Sequence, residues 1–435
     1  VSVPDGSERF SVSFMYSLIV IPLLADICFS SSFSHFGQMK VNRSESIMII
    51  ILVICCGNDY YNTMIIRKAY KFRFDPTEEQ KAQLAVEFGC ARFVWNHALN
   101  LRQCVYANCI DENGKGENIN YVGLNKHLTF LKGTENFGWL KNATAGMLTQ
   151  KLIDLDKAYD NFFKGRAKFP KFKKKGHSES IRYQLDQRNI LSTYSAGEFI
   201  KLPKLGFINV RWSQLPFGTP KMATVSKTAS GKYFVSFACE IEQAPKPKTS
   251  RVIGVDVGIK DVVVTSDGFQ SGSPKFTYQH QRELRREQRK LSKKTKGSNG
   301  WKKQRLVVAR VHEKIANCRK DFLHKLTTKL VSENDVICLE DLNVKGMLSN
   351  RKLSKAVADI GIFEFNRQIK YKAQWYGKQV IVIDRWFPST KMCSSCGSIK
   401  QIKLSERIYR CDCGLVLDRD LNAAINIKSA VLKAA

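Results

Sequence analysis

Three acidic residues stand where apolar segments end, and their placement predicts one shared site. Asp256 follows the apolar run VIGV and Glu340 ends the run VICLE, which is the pattern of a buried strand that finishes on a carboxylate. Asp420 begins DLNAAINI, whose small residues predict a helix. A single strand end often bears a solvated acid, but three such residues together predict a convergent set. The neighbouring acid Asp418 is the alternative to Asp420.

The chemistry available to such a set is metal-dependent hydrolysis of phosphodiester bonds. Mg²⁺ and Mn²⁺ are hard ions that take carboxylate oxygens as ligands. Two of these ions about 4 Å apart can activate water and stabilise the leaving 3′ oxygen. The sequence has no Ser-His-Asp arrangement, Gly-rich phosphate loop or HExxH motif that would indicate another chemistry. We therefore expect a centre that cleaves nucleic acid, with its three acids as metal ligands.

Four cysteines in the last quarter of the chain have the spacing of metal ligands. Cys393 and Cys396 form CxxC, and Cys411 and Cys413 form the less common CxC, which can still place two thiolates on one tetrahedral ion. The other nine of the thirteen cysteines are scattered singly or lie in an apolar leader, which disfavours a disulfide scaffold and favours a reducing cytosol. The four predict one structural zinc ion rather than four unmetallated thiols.

The net charge favours a polyanionic partner. Lys and Arg number 70 against 39 Asp and Glu, which gives +31 at pH 7, so the field of the protein concentrates nucleic acid. A hydrophobic fraction of 43% is ordinary for a folded chain and excludes a disordered polybasic tail. The length of 435 residues allows two to four domains of roughly 100–200 residues each.

Two basic segments predict contacts with nucleic acid. GRAKFPKFKKKG alternates cations with aromatic rings in a loop bounded by Gly and Pro, which suits phosphate contacts combined with base stacking. A helix within 281–329 places four arginines on adjoining rows, where like charges repel unless a phosphate backbone relieves them. In both cases the alternative is an ordinary solvated face. The predicted contact residues are Lys171, Lys173, Lys174, Lys175, Phe169, Phe172, Arg282, Arg285, Arg286 and Arg289.

The order of the elements predicts a mixed α+β lobe followed by a second domain. IIRKAYKFRF alternates as a half-buried strand does, and Thr77 with Gln80 forms a capping box that begins a helix. Helical patterns continue to about residue 165, apart from an irregular connection over 104–119, and strands with a Ser-Gly hairpin turn follow. The Pro- and Lys-rich segment 243–250 is the predicted linker.

Residues 1–63 differ from the rest of the chain. Their two apolar runs, at 15–24 and 47–56, are shorter than the about 20 residues that a membrane-spanning helix needs. The leader has no convincing signal-peptide cleavage site. We expect Met64 to be the true start and the protein to be cytoplasmic and nucleoid-associated, without membrane contact; a membrane anchor is the alternative.

Taken together, the motifs resemble the TnpB (OrfB) family of insertion-sequence proteins, RNA-guided DNA nucleases related to type V CRISPR effectors. The resemblance covers about residues 64–428 and rests on YKFRFDPTEEQ, FPKFKKKGHSESIRY, GVDVGIK, KIANCRKDFLHKL, LEDLNVKGM, WFPSTKMCSSCG and DRDLNAAINI. It implies an α/β nuclease domain of the RuvC (RNase H-like) type over 251–435, with a zinc ribbon inserted at about 388–416. It also implies a wedge-like β domain over 64–245 with a helical recognition insert at about 77–165.

The resemblance also implies roles, cofactors and partners. By motif position, Asp256, Glu340 and Asp420 match the catalytic triad of the family. The implied cofactors are structural Zn²⁺, catalytic Mg²⁺ or Mn²⁺ and a guide RNA, and the implied substrate is target DNA. Two alternatives stay open. A conventional transposase or recombinase would need a Tyr or Ser nucleophile motif that we do not find, and a catalytically silent RNA-guided repressor would be expected to lack one of the acids.

Overall fold

The computed structural model describes residues 63–110, 112, 114, 116–176, 179–185, 199–403 and 406–434. The strands are β1 (Met64–Phe74), β2 (Glu179–Gln184), β3 (Phe199–Leu202), β4 (Gly206–Arg211), β5 (Thr219–Lys227), β6 (Tyr233–Gln243), β7 (Val252–Asp256), β8 (Val264–Thr265), β9 (Val336–Glu340), β10 (Gln379–Ile383), β11 (Ile408–Arg410) and β12 (Val416–Asp418). The α-helices are α1 (Glu78–Asn108), α2 (Tyr121–Gly133), α3 (Ala145–Phe163), α4 (Phe276–Gln279), α5 (Gln281–Ser292), α6 (Asn299–Glu333), α7 (Val344–Ser349), α8 (Ser354–Ile360), α9 (Ile362–Trp375) and α10 (Arg419–Ala434). A 3-10 helix spans Glu135–Asn142.

The predicted leader, residues 1–63, lies outside the described residues except for Thr63. Within the described ranges, no helix combines the length and the apolar character needed to cross a membrane.

A six-stranded sheet with the order β2-β5-β6-β1-β4-β3 contains the first strand of the described chain. β1 pairs antiparallel with β6 along its whole length, from Met64 opposite Gln243 to Phe74 opposite Tyr233. The alternation predicted for β1 is confirmed, because its apolar side chains on one face, including Phe72, are buried and the cations between them are not. The predicted hairpin turn is confirmed by the antiparallel pairing of β5 with β6.

Helices α1, α2 and α3 share one hydrophobic cluster with this sheet. The capping box predicted for the start of α1 is confirmed. The Gln80 N–H donates to Thr77 Oγ1 at 3.2 Å, and the Thr77 N–H donates to Gln80 Oε1 at 3.1 Å. Both bonds satisfy donors that a helix start leaves without an intrahelical partner.

The irregular connection predicted over 104–119 is wrong in its first part, because α1 continues to Asn108. Residues 104–108, CVYAN, contain no Gly or Pro that would end the helix. The helix closes where the Cys109 N–H donates to the Val105 carbonyl at 2.8 Å.

A four-stranded sheet with the order β10-β9-β7-β8 forms a second core. β7, β9 and β10 run parallel, and β8 is antiparallel to β7. Val255 of β7 and Ile337 and Leu339 of β9 are buried under α6, α8 and α9 on one face. Parallel strands that are covered on both faces are apolar along their length. This explains the unbroken apolar runs VIGV and VICL, and a charged residue appears only where each strand ends.

Helix α10 covers the other face of this sheet and comes unusually close to β7. A Cβ placed on Gly254 would lie 2.0 Å from the Ala424 carbonyl oxygen and 2.7 Å from the Lys428 nitrogen. Only glycine therefore permits the helix to pack at this distance. The close packing fixes the start of α10 relative to the strand that ends at Asp256.

Candidate active site

Asp256 and Glu340 close two neighbouring parallel strands at the same level. The pairing of β7 with β9 ends at Gly254 opposite Cys338, and Asp256 and Glu340 each follow this last pair by two residues. Because side chains alternate between the faces of a strand, both acids lie on the face of Gly254 and Cys338. That face is covered by α10, whose Ile427 packs in one cluster with Cys338.

Asp420 lies in the first turn of α10, the helix that covers these strand ends. The alternative acid, Asp418, has a different place. Its Oδ1 accepts hydrogen bonds from the backbone N–H groups of Asp420 at 2.9 Å and Leu421 at 3.2 Å. These are the bonds of a helix N-cap, so the Asp418 carboxylate is engaged by the helix itself. The geometry favours Asp420 as the third acid.

The three acids are electrostatically coupled. Burial raises the pKa of Asp256 to about 7, and the charges of Glu340 and Asp420 contribute to the rise, while Arg419 opposes it. Burial also raises the pKa of Glu340, although a hydrogen bond from the Ser389 hydroxyl to its Oε1 opposes that shift. A divalent cation would neutralise negative charge that is concentrated in this way.

Arg419 and Ser389 contact the acids, although the sequence reasoning did not single them out. Arg419 Nη2 and Nε lie 2.9 and 3.1 Å from Asp420 Oδ1, and its Nη1 donates to the Glu406 carbonyl at 3.0 Å. Ser389 donates to Glu340. Both residues stand inside motifs that carry the family resemblance, DRDLNAAINI and WFPSTKMCSSCG, which was the only signal for them in the sequence.

The raised pKa of Asp256 predicts that Mg²⁺ stabilises the fold. Since its pKa in the folded protein is about 7, above its ordinary value of 3.8, folding stability falls as pH rises through this window. Above neutral pH, we expect Mg²⁺ to raise the melting temperature of the protein by several degrees, because the ion offsets the repulsion among the acids. Asp256→Asn should melt higher than the wild type without metal and respond little to Mg²⁺, as measured by thermal unfolding.

A matched control for this experiment is Asp321→Asn, which removes a carboxylate that is exposed on α6 and paired with Lys325. This variant should respond to Mg²⁺ as the wild type does. An equal Mg²⁺ response in the Asp256→Asn variant would mean that the ion acts elsewhere on the protein.

The four cysteines lie together, as their spacing predicted. Cys393 Sγ is 3.6 Å from Cys413 Sγ, and Cys396 Sγ is 3.6 Å from Cys411 Sγ. Sulfurs that are each about 2.3 Å from a tetrahedral zinc ion would lie about 3.8 Å apart. Gly414, at φ +89°, closes the turn that brings the CxC thiols together. Among the described residues, this is the group whose potential ligand atoms all lie within 4.8 Å of one another.

The chemistry of the cysteine site also suits a cation. A hydrogen bond from the Ser398 hydroxyl lowers the pKa of Cys396 and lowers that of Cys411 to about 6. The backbone hydrogen bond with Leu415 lowers the pKa of Cys413, but its hydrogen bonds with Cys411 and Cys396 outweigh this effect and raise that pKa to about 11. The thiolate is the form that binds metal. The residues present therefore fit a structural zinc ion with four sulfur ligands and no open coordination position.

Hydrogen bonds join the cysteine segment to the helix that bears Asp420. Asn422 Nδ2 donates to the Met392 carbonyl at 2.8 Å, and Asn426 Nδ2 donates to the Ser389 carbonyl at 2.7 Å. Both asparagines are almost completely buried. Arg419 also donates to the Glu406 carbonyl. The position of Asp420 therefore depends on the fold of the cysteine segment.

The basic loop GRAKFPKFKKKG is mostly exposed, but its residues differ in their contacts. Lys171, Lys174 and Lys175 are exposed. Lys173 is only partly exposed, since its Nζ lies 3.6 Å from the centroid of the Trp95 ring. This burial lowers the pKa of Lys173 to about 8. The structure therefore gives Lys173 a packing contact that the alternation of cations and aromatics could not indicate.

The two phenylalanines of this loop also differ. Phe169 is 40% exposed and packs edge to face against Tyr159 and Phe162, with centroids 5.5 and 5.2 Å away. Phe172 is 52% exposed. Phe172 is therefore the better placed of the two for stacking on a base.

The arginine-rich segment forms α5, which packs antiparallel to the first part of α6. Its four predicted contact residues are exposed: Arg282, Arg285, Arg286 and Arg289. Arg286 Nε lies 2.9 Å from Glu287 Oε1, and Gln304 of α6 donates to Glu287 Oε2 at 2.8 Å. Glu287 offsets part of the charge of Arg286, while its bond with Gln304 fixes α5 on α6.

The difference between Lys173 and Lys174 yields a matched prediction. Each phosphate contact that is lost lowers the slope of log affinity against log salt by roughly 0.7–0.9. Lys174→Met should flatten the salt dependence of RNA binding by about that amount, whereas Lys173→Met should change the slope little. Phe172→Ala should weaken binding without changing the slope, since stacking releases no counterions. Salt titrations would measure all three; equal slopes throughout would mean that the loop is an ordinary solvated face.

Comparison with known proteins identifies the family of this chain. The OrfB family model, described as "Probable transposase", matches residues 236–351, and a model described as "Cas12f1-like, TNB domain" matches 363–427. A protein of Streptomyces pristinaespiralis named "Putative RNA-guided DNA endonuclease" is 40% identical over 372 residues, which are 85% of this chain and 90% of that protein. The chain belongs to the TnpB (OrfB) family.

Further similarities extend over most of this TnpB-family chain. The Escherichia coli (strain K12) protein named "Putative RNA-guided DNA endonuclease InsQ" is 34% identical over 388 residues, 83% of this chain and 92% of that protein. A chain of the Cas12f1–sgRNA–target DNA complex superposes with a TM-score of 0.47 at 13% identity, over 84% of this chain and 99% of that chain. A "Helix-turn-helix domain" model matches 64–110, where the structure has strand β1 and the uninterrupted helix α1.

Proposed function

We propose that this chain is an RNA-guided, divalent-metal-dependent DNA endonuclease associated with an insertion sequence. The observation that supports the proposal most directly is that Asp256 and Glu340 end neighbouring parallel strands and that the charges of Glu340 and Asp420 act on Asp256. The names of its relatives, RNA-guided DNA endonucleases at 40% and 34% identity, support a guide RNA and target DNA as its partners.

We also propose the predicted domain bounds, with a wedge-like domain at 64–245 and a RuvC-type nuclease domain at 251–435. Support comes from the separate hydrophobic clusters of the six-stranded and four-stranded sheets. Further support comes from the helices at 78–163, which interrupt the first sheet between β1 and β2. The cysteine segment between β10 and α10 corresponds to the proposed zinc ribbon at about 388–416.

The roles of the residues follow from their contacts. Asp256, Glu340 and Asp420 would hold Mg²⁺ or Mn²⁺, and such ions supply Lewis-acid activation of water and of the scissile phosphate. Asp256 must release its proton to become a ligand, because its pKa is about 7. Ser389 orients Glu340 through its hydroxyl, and Arg419 orients Asp420 through its guanidinium group.

The test is to purify the protein from Met64 together with bound RNA and to sequence that RNA. We expect cutting of DNA that matches the RNA, and we expect ribonuclease or EDTA treatment to abolish it. Cutting that survives ribonuclease would contradict RNA guidance. Joining of DNA strands would indicate the transposase alternative, and RNA-dependent binding without any cutting would indicate the silent repressor.

A further inference from the structure

A cavity of about 500 Å³ lies outside the acids and cysteines described above. One wall comes from Ile259, Val262 and residues 273–278, on the two sides of β8. The other walls come from Arg319 and Phe322 of α6 and from the segment 352–360. Ile259 comes three residues after Asp256, whereas residues 352–360 follow Glu340 only after helix α7. The cavity therefore lies close to Asp256 along the chain.

Most of the cavity lining is apolar, and its charged residues are mainly cations. Its charged members are Lys275, Arg319, Lys352, Lys355 and Asp359. Asp359 is already engaged, since its Oδ1 accepts from Thr277 Oγ1 at 2.6 Å and from Arg319 Nη2 at 2.8 Å. This pairing leaves the charge of the lysines uncompensated by Asp359, and both Lys275 and Lys352 are exposed. The ligand class that suits this lining is an anion.

The aromatic residues of the cavity indicate more than a simple anion. Phe276 and Phe322 pack against each other, with ring centroids 6.0 Å apart at 66°. Tyr278, by contrast, is 73% exposed. An exposed aromatic ring next to exposed lysines is the combination that binds single-stranded nucleic acid, with a base on the ring and phosphates near the cations. An inorganic phosphate ion would use neither the ring nor most of the volume.

We propose that this cavity binds a nucleotide of a single-stranded nucleic acid, with its base against Tyr278 and its phosphates near Lys275 and Lys352. The arginine helix α5 begins at Gln281, immediately after this wall, and Lys355 Nζ donates to Gln281 Oε1 at 2.9 Å. The cavity therefore continues into a cationic surface that can hold the neighbouring phosphates. The inference rests on the proposed function, because a nuclease of this kind must guide a strand to its acids.

Photocrosslinking tests the proposal on the full chain. An oligodeoxynucleotide containing 5-iodouracil would be irradiated with the protein in EDTA, at a salt concentration high enough to weaken contacts made through phosphates alone. We expect mass spectrometry to find the crosslink on the peptide that contains Tyr278. We expect Tyr278→Ala to bind the oligonucleotide at least about fivefold more weakly, and Tyr278→Phe to bind it as the wild type does.

Helix α9 supplies matched controls that do not line the cavity. Phe363 is also 73% exposed, and Lys370 is exposed on the same helix. Phe363→Ala and Lys370→Gln should leave binding unchanged, whereas Lys352→Gln should flatten its salt dependence. Equal losses in Tyr278→Ala and Phe363→Ala would overturn the proposal, as would a crosslink map that omits the Tyr278 peptide.

A free nucleotide is the other source of the same chemistry. Thymidine monophosphate that competes as well as the oligonucleotide would assign the cavity to a free nucleotide and contradict a strand site. Because these measurements use neither guide RNA nor metal, their outcome is independent of whether the protein cuts DNA. A negative result here with normal RNA-guided cutting would overturn only the cavity assignment.

Discussion

Asp420→Asn should abolish DNA cutting by the RNA complex, with a fall in rate of at least about a thousandfold, the scale seen when an essential catalytic group is removed. The substitution keeps the shape of the side chain and removes its charge, so the ligand set loses an anion while Arg419 stays in place. Single-turnover cleavage in Mg²⁺ would measure the effect. Asp256→Asn and Glu340→Gln should behave in the same way, and all three variants should still bind target DNA.

The matched control is Asp418→Asn, two residues away. Asparagine is as good an N-cap as aspartate, so the bonds to the N–H groups of Asp420 and Leu421 should persist and cutting should continue. The reverse pattern, with loss in Asp418→Asn and normal cutting in Asp420→Asn, would move the third acid to Asp418.

Loss of the zinc ion should also abolish cutting, although no cysteine is expected to touch the substrate. We expect one zinc per chain by elemental analysis and none in Cys411→Ser. Binding of such an ion is coupled to the folding of its ligands, so the ribbon should unfold locally. Asn422, Asn426 and Arg419 would then lose their carbonyl partners, and Asp420 would lose its fixed position. Hydrogen exchange should rise over 388–416 while RNA binding persists.

Cys104→Ser is the control for this experiment, because Cys104 is exposed and free. It should retain both the zinc ion and the cutting activity. Normal cutting by a metal-free Cys411→Ser protein would show that the ribbon does not position the third acid.

The two strand-end acids and the cluster of four cysteines were the most predictable features, because each depends on local sequence. A short apolar run that is followed at once by a carboxylate predicts a buried strand ending at that residue, as at Asp256 and Glu340. Cysteine spacing is equally local, and the capping box at Thr77 needs only four consecutive residues. These features depend on neighbours in the chain and were therefore visible in the sequence.

Contacts between distant segments were not predictable in this way. The position of Lys173 over Trp95 depends on a residue that is 78 positions earlier in the chain, and nothing local distinguishes it from Lys174. The N-cap role of Asp418 depends on the residue at which α10 begins, which the sequence pattern alone does not determine. The cavity that contains Tyr278 is formed by segments following two different strands, so no single motif describes it.

The close packing of α10 on Gly254 has a consequence for how the protein is made. More than a third of the chain separates Asp256 from Asp420, so at about 5–20 residues per second a ribosome needs on the order of ten seconds between them. The basic loop is made before that interval and the arginine helix early within it, whereas the helix that bears Asp420 is made only at its end. The candidate site can therefore form only after nearly all of the described chain has been made.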